Sequence, residues 1–449
     1  MQRYVIEDTR HVPPFNQPAS LLTIGVRPLK IHQEDLFQEV LPRVMPRQAR
    51  QITLGGAFHH PDEMRGIRGP AIVYRDNLWF DAEFLTTFMR AALASKRACR
   101  AAIPGNDPAF SVYTLPLSTG LQEARDAQGK AYHLLDLWYF PAEYTDDWQP
   151  ILVDSDSEEM GFYSVPDFMT MEQGNLTFYA PGRAVISIES WVHVYYASIT
   201  FSQFGRASRF DRYVKTHNFY SLRLLWSALI EQTQLLSTRE VVKVGKNTSI
   251  HPTAIITGPA SIGDNCNIGP GVLIDNCTIG DNVTIDDGCC LMMSSVANGC
   301  FLPFRAALYL TAVMENTIIA QNTCLQMCVI GRNSFVGAGN TFTDFNLIEQ
   351  KPIRATNING ELKEVGQVVL GSGIGHNCRI GSGMVMFPGR MIESDVVLVA
   401  APQRRVISRN VVFEESDHHF IAGRSAHHTR HYPRQDEADA QGDSWDSRW

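Results

Sequence analysis

The stretch that decides the fold runs from Val244 to Cys290 and divides into sixes: VGKNTS, IHPTAI, ITGPAS, IGDNCN, IGPGVL, the one-short IDNCT, IGDNVT and IDDGCC. The first position is Val244, Ile250, Ile256, Ile262, Ile268, Ile274, Ile279 and Ile285, all β-branched aliphatics. The fifth is Thr248, Ala254, Ala260, Cys266, Val272, Thr278, Val283 and Cys289, all small or medium-sized. A period of six is neither the alternation of a simple strand nor the 3.6 of a helix. It predicts one short strand and one turn per unit, with three units closing one coil of a triangular prism. The aliphatic residue points inward and stacks on its equivalents in the coils above and below, at ~4.8 Å per coil. Gly and Asn after it suit corners that need permissive backbone angles. The expected fold is a left-handed parallel β-helix of hexapeptide repeats over residues 244–400.

The register resumes with Ile319, Leu325, Ile330, Val336 and Phe342, then with Val368, Ile374, Ile380, Met386, Ile392 and Leu398. About six coils and a stack of about 30 Å follow from the strand spacing. Two interruptions are expected. Residues 292–318 contain the apolar NGCFLPFRAALYLTAV and read as an insertion for packing or subunit contact. Residues 343–367, TDFNLIEQKPIRATNINGELKEVGQ, read as a polar loop projecting from a rigid stack, where binding groups often sit. Asn346, Lys351 and Arg354 are its candidate substrate-binding residues. A β-helix has open ends, and the helical spacing of Phe219, Leu222, Leu225, Trp226 and Leu229 predicts an amphipathic helix over 211–234 placed to cap the first coil. The chain is expected to leave the stack after Leu398. The polar tail from about 430 is expected to be disordered, with His418, His419, His427, His428 and His431 solvated.

The chain has 449 residues, long enough for at least two domains. Its net charge of −8 argues against a nucleic-acid partner. No apolar run approaches the ~18–20 residues of a membrane span, and the charged start MQRYVIEDTR lacks a signal-peptide core. Eight of the nine cysteines lie in the repeat region; Cys266, Cys289 and Cys378 share one repeated position, as small buried hydrophobes, and no CxxC pair shows zinc spacing, which points to a reduced, cytoplasmic protein.

Residues 1–210 show no repeat. From Pro70, PAIVYRDNLWFDAEFLTTFMRAALASKRACRAAIP reads as strand (71–74), helix (84–93) and strand (97–103), the unit of an α/β sheet. Asp76 follows the first strand, a position that serves either as a metal or phosphate ligand or as a turn residue. Lys30, His32 and Gln33 begin another helix. Asp146, Asp147, Asp154 and Asp156 read as a solvated acidic loop.

Strand–helix–strand with Asp76, a connecting helix with Trp226 and a hexapeptide β-helix together resemble the two-domain sugar-1-phosphate nucleotidyltransferases. These include the bifunctional N-acetylglucosamine-1-phosphate uridyltransferase/glucosamine-1-phosphate acetyltransferase group and its archaeal relatives. The most specific match starts at Val336: a GAG turn, a loop with Lys351-Pro352, an IG-rich coil and a PG turn. The resemblance implies a nucleotidyltransferase-like α/β domain over 1–210, a connecting helix over 211–243, the β-helix over 244–400 and an extension over 401–449. It further implies magnesium (Mg) at Asp76, acyl-CoA as a co-substrate, a homotrimer built through the β-helix, and a sugar phosphate or nucleotide as ligand.

The departures bear on chemistry. The family's GxGTRMxP loop, which cradles nucleotide phosphates, is missing; this chain joins the pattern only near Arg27-Pro28-Leu29. The family's Asn-His pair falls on Ala320 and Gln321, and glutamine is no base. Gln321 remains a candidate for binding substrate, and His376, in IGHNCR, is the candidate catalytic base. Two functions stay open. One is a transferase of sugar or sugar-nucleotide metabolism, in its sharpest form acyl-CoA-dependent acyl transfer on the β-helix. The other is a catalytically silent relative acting as a sugar-nucleotide-binding or scaffold trimer. A zinc hydratase on the same helix would need three protein ligands, and the repeats offer only His251 and His376.

Overall fold

The computed structural model describes residues 1–45, 53–163, 176–346, 351–420 and 428–437. The chain divides into two compact units. The first holds Met1–Arg10, Pro18–Leu22 and Pro28–His193; the second holds His11–Gln17, Thr23–Arg27 and Val194–Trp449. The division therefore falls at His193 and not at residue 210, and two short N-terminal segments belong to the second unit.

In the first unit, β1 (Gln2–Ile6) is followed by α1 (Leu29–Val44), β2 (Thr53–Phe58) and β3 (Ala71–Arg75). The strands β2 and β3 flank β1 and run parallel to it. After β3 the chain turns at Asp76-Asn77 into β4 (Leu78–Phe80) and then α2 (Ala82–Ser95). Asp81 caps α2 by accepting the Phe84 N–H at 2.8 Å, as a side-chain oxygen at that position does. Phe84, Leu85, Phe88, Met89 and Ala92 recur on one helical face and are buried in the core with Phe37, Val40 and Leu41 of α1. Next come β5 (Cys99–Pro104), β6 (Ala131–Phe140) and β7 (Gln149–Leu152). The sheet order is β7-β5-β6-β3-β1-β2, with β6 antiparallel to both neighbours. The strand–helix–strand unit read from the sequence is present, but β6 separates its two strands. A short strand, Val185–Ser187, pairs with β4.

The second unit contains three eight-stranded parallel sheets, the three faces of a β-helix. Each inward ladder follows the strand register. On the first face Ile262, Ile279, Val296, Val313, Ile330, Ile374 and Ile392 stack; on the second, Ile268, Ile285, Leu302, Ile319, Val336, Ile380 and Leu398. Ile274, Leu291, Leu308, Leu325, Phe342, Met386 and Ile407 line the third. All are buried in one core, and each contributes about 2 kcal/mol of burial. The corners repeat as strictly: Asn265, Asn282, Gly299, Asn316, Asn333, Asn377 and Asp395 all have positive φ, which Asn, Asp and Gly tolerate best. Asn282→Ala is accordingly expected to cost about 1 kcal/mol, and Asn282→Gly close to nothing, in urea melts read by circular dichroism.

Several expectations change here. Residues 292–318 are no insertion: strands Ser295–Val296, Phe301–Leu302, Ala307–Tyr309 and Ala312–Val313 lie inside the three sheets. Eight strands per face replace the six coils first counted. Cys277, not Thr278, takes the inward place in the short unit. Val368 lies outside the stack, whereas Val406–Ile407 extends the third face beyond Leu398. The expected loop carries an antiparallel hairpin, Arg354–Thr356 with Leu362–Glu364, inserted between the third and first faces; residues 347–350 lie outside the described residues. The single helix over 211–234 is two, α3 (Gly205–Thr216) and α4 (Asn218–Glu231), broken at His217. The first coil is met by the segment after α4, where Leu236 O accepts from Gly258 N–H and Val241 O from Ala260 N–H. The tail is ordered at residues 428–437, with Tyr432 buried. His427 falls outside the described residues.

Candidate functional site

The site grows from the carboxyl ends of β1 and β3. These strands are parallel and in register, Ile6 beside Arg75, so the residues that follow them meet. Asp76 N–H donates to Ile6 O at 3.0 Å, and Asp8 N–H returns a bond to Asp76 Oδ1 at 2.8 Å. Asn77 Nδ2 donates to Asp8 Oδ2 at 3.0 Å, and Arg10 grips the same carboxylate through Nε at 2.9 Å and Nη2 at 2.6 Å. From α1, Gln33 Nε2 donates to Leu78 O at 2.7 Å and Asp76 O at 3.2 Å, which pins the turn.

The two carboxylates shift in opposite directions from the ordinary value. Burial pushes Asp8 up, but the Arg10 guanidinium more than offsets this and leaves it below the ordinary value. Burial pushes Asp76 up to about 6, only partly countered by the Asp8 N–H and the Ser20 hydroxyl. Asp76 is thus a buried carboxyl that holds its proton up to about pH 6 and carries a poorly solvated charge above it.

Two cavities flank this cluster. The larger, about 380 Å³, is lined by Arg3, Lys30, Gln33, Glu34 and Asp76, with Gly56 and Ala57 of β2. Its size lies in the range of small-molecule sites, and its place beside the carboxyl ends of parallel strands is where α/β sheets bind ligands. Arg3 is the notable wall. Its Nη2 lies 3.4 Å from Glu34, and its Nε is buried with no hydrogen-bond partner among the described residues. A buried guanidinium N–H without an acceptor is costly unless a ligand supplies one. The smaller cavity, about 240 Å³, is lined by Arg10, Arg75, Asn77, Asp136, Ser187 and Glu189. Glu189 Oε2 accepts from the Thr119 hydroxyl at 2.7 Å, while Oε1 lies 3.4 Å from Arg10. His193 backs this wall: Nδ1 accepts from Glu189 N–H at 3.1 Å and Nε2 pairs with Pro116 O at 2.9 Å. Burial lowers its pKa, so it stands as a neutral, fixed tautomer.

Magnesium at Asp76 does not fit this arrangement. Among the described residues no three His, Cys, Asp or Glu side chains converge to hold a metal. The nearest second carboxylate, Asp8, already bonds to Arg10 and Asn77. A guanidinium stands where a metal site would need open oxygens.

The β-helix residues do not assemble into a site within the chain. His376 is fully buried, neither a base open to substrate nor an exposed corner. Its ring packs against Phe15 and Tyr432, with centroids 5.1 and 4.7 Å away, and Nδ1 accepts from Arg332 N–H at 3.0 Å. Burial, with Arg332 adding to it, holds its pKa well below the ordinary value. His376 lies at the corner between the first and second faces, and Gln321 at the corner between the second and third. Lys351 and Arg354 belong to the insertion between the third and first. Three different corners of a triangular section cannot converge. Arg354 is exposed and donates to Leu362 O, and Asn346 is half-buried where the insertion leaves the stack.

The sequence reading found Asp76 but missed Arg3, Asp8, Arg10 and Glu189. A signal was available: YVIED at residues 4–8 and IVYRD at residues 72–76 are the same strand-then-acid pattern. Among known proteins, a family model described as Bacterial transferase hexapeptide (six repeats) matches residues 242–276, a small part of the chain. No curated protein matches it. Residues 242–276 thus carry the bacterial transferase hexapeptide repeat, set within three stacked parallel sheets.

Proposed function

We propose that this chain binds a phosphorylated sugar or sugar nucleotide in the first unit, and that its β-helix is a scaffold rather than an acyltransferase. The hexapeptide match points to the transferase class in general terms. The observation that carries the reading is the Arg3 guanidinium, buried in the wall of the 380 Å³ cavity with Nε unpartnered and Lys30 nearby. Guanidinium groups match phosphate oxygens in geometry and charge. Across the strand tips, Asn77, Asp136, Ser187 and Glu189 line a second cavity with acceptors and donors suited to hydroxyls. A ligand with a phosphate at one end and a sugar at the other carries the groups that these two walls are suited to bind.

Acyl transfer from acyl-CoA finds no base at the two positions expected to supply one, because His376 is buried and Gln321 cannot take a proton at neutral pH. Assembly as a homotrimer is part of the proposal. Phe301, Ile318 and Phe335 stack in register on the outside of one face and are all more than a third exposed, an apolar ladder suited to a subunit contact. A cytoplasmic site of action accords with nine free thiols. Among the described residues no helix is long and apolar enough to cross a membrane.

The test is a thermal-shift series on the full chain with hexose 1-phosphates, nucleoside diphosphate sugars and acetyl-CoA. Saturable stabilisation by a phosphorylated sugar, with a flat response to acetyl-CoA at millimolar concentration, is expected. Arg3→Met should weaken the bound ligand about 10–100-fold, the loss of one charged hydrogen bond of ~1.5–3 kcal/mol. Turnover of acetyl-CoA with an amino sugar would overturn the reading.

A further inference from the structure

The helix α4 carries a face that no described residue of its own unit covers. Phe219, Leu222, Leu225, Trp226, Leu229 and Ile230 are between 58% and 91% exposed, while only Leu224 of this helix is buried. At 100° per residue these six fall within one arc of about 140°. That arc contains no charged side chain. Phe219, Leu222, Trp226 and Leu229 also keep the three-four-three spacing with which one helix seats on another.

The area decides what could cover it. Six large side chains at this exposure leave on the order of 700 Å² open, more than the ~300–600 Å² of the largest patch on a typical monomer. It approaches the ~800 Å² that each partner gives to a stable protein interface. A lipid surface is less well served, since such helices rim the apolar face with free cations. Here the one cation at the edge of the arc, Arg223, is held by Glu240 at 2.6 Å, and Lys215 of α3 is held by Asp211 at 2.6 Å. An uncharged, self-similar stripe suits an isologous contact, in which the same patch faces itself across a two-fold axis.

We infer that α4 packs against α4 of a second copy of this chain. The contact is separate from the outward ladder on the β-helix and does not depend on the ligand reading. Two-fold pairing through α4 makes the number of chains in the particle even: two if the β-helix faces stay apart, six if they also form trimers.

Light scattering on the eluting full-length protein at micromolar concentration tests this. The wild type should contain an even number of chains, and Leu222→Glu/Trp226→Glu should halve it. Phe335→Glu separates the two contacts, because it should divide by three any particle built through the β-helix and leave the α4 pairing intact. Circular dichroism confirms folding, and the milder Trp226→Ala serves if the double variant does not fold. An odd particle number, or a mass unchanged by the α4 variants, overturns the inference. A wild-type monomer that floats with anionic phospholipid vesicles overturns it in favour of a lipid surface.

Discussion

Glu393→Ala should destabilise the second unit by about 3–5 kcal/mol, the cost of removing one partner from a buried ionic cluster. Glu393 is almost completely buried. Its Oε1 accepts from Asn16 Nδ2 at 3.0 Å, Arg434 Nε at 2.8 Å and Arg430 Nη2 at 3.2 Å, and its Oε2 from Phe413 N–H at 2.9 Å and Arg434 Nη2 at 2.6 Å. One carboxylate thus ties an N-terminal segment, the last coils and residues 428–437 together. Asp395 supports it by accepting from Tyr432 N–H at 2.6 Å and His431 N–H at 2.9 Å. Alanine removes the buried anion that Arg430 and Arg434 share, leaving each with its outer partner alone, Glu437 at 2.7 Å and Glu414 at 2.9 Å. Urea melts should shift accordingly, and trypsin should cut at Arg430 and Arg434 in the variant well before the wild type. Equal cleavage rates would show that the cluster does not hold the tail.

Asp76→Asn is expected to act in the opposite direction, and its sign depends on pH. The folded carboxyl titrates at about 6 against an ordinary 3.8, so the folded state holds its proton longer than the unfolded state does. Between those values the folded state binds more protons, and stability falls as pH rises. Below pH 4 the charge makes no difference between variant and wild type. Above pH 6 the variant should be the more stable by up to about 3 kcal/mol, at 1.36 kcal/mol per unit. The asparagine oxygen can still accept the Asp8 N–H. Thermal melts of both proteins from pH 4 to 8 measure the difference, and a variant less stable than wild type at pH 7.5 would contradict the strained carboxyl. A buried group kept at such a cost, in the wall of a cavity, is what a binding site retains at the expense of the fold.

The β-helix was readable because its period is carried by every inward residue and by the Asn and Gly corners. The stretch 292–318 was not, for a local reason. Steps from Leu291 to Val296 and from Leu308 to Val313 are five residues, and the outward positions hold Phe301, Tyr309 and Ile318. Apolar residues on both sides of a strand erase the contrast on which periodicity depends. His376 was misread for a different reason. Its place at a corner is local, but its burial comes from Phe15 and Tyr432, which lie at opposite ends of the chain. The candidate site shows the same division. Asp76 stands out as an acid after a buried strand, whereas Arg3, Asp8 and Arg10 gain meaning only once β1 lies parallel to β3. Pairing between distant strands is invisible to a reading that moves along the chain. The exposed face of α4 was legible as an amphipathic helix; that no described element of its unit covers it was not.

Isothermal titration of the full chain with a hexose 1-phosphate and with a nucleoside diphosphate sugar, in the presence of EDTA, tests the central claim most directly. Saturable binding of one of them without a divalent metal is predicted, weakened about 10–100-fold by Arg3→Met through the loss of a charged hydrogen bond. Binding of neither, binding only when magnesium is restored, or binding indifferent to Arg3 would contradict it.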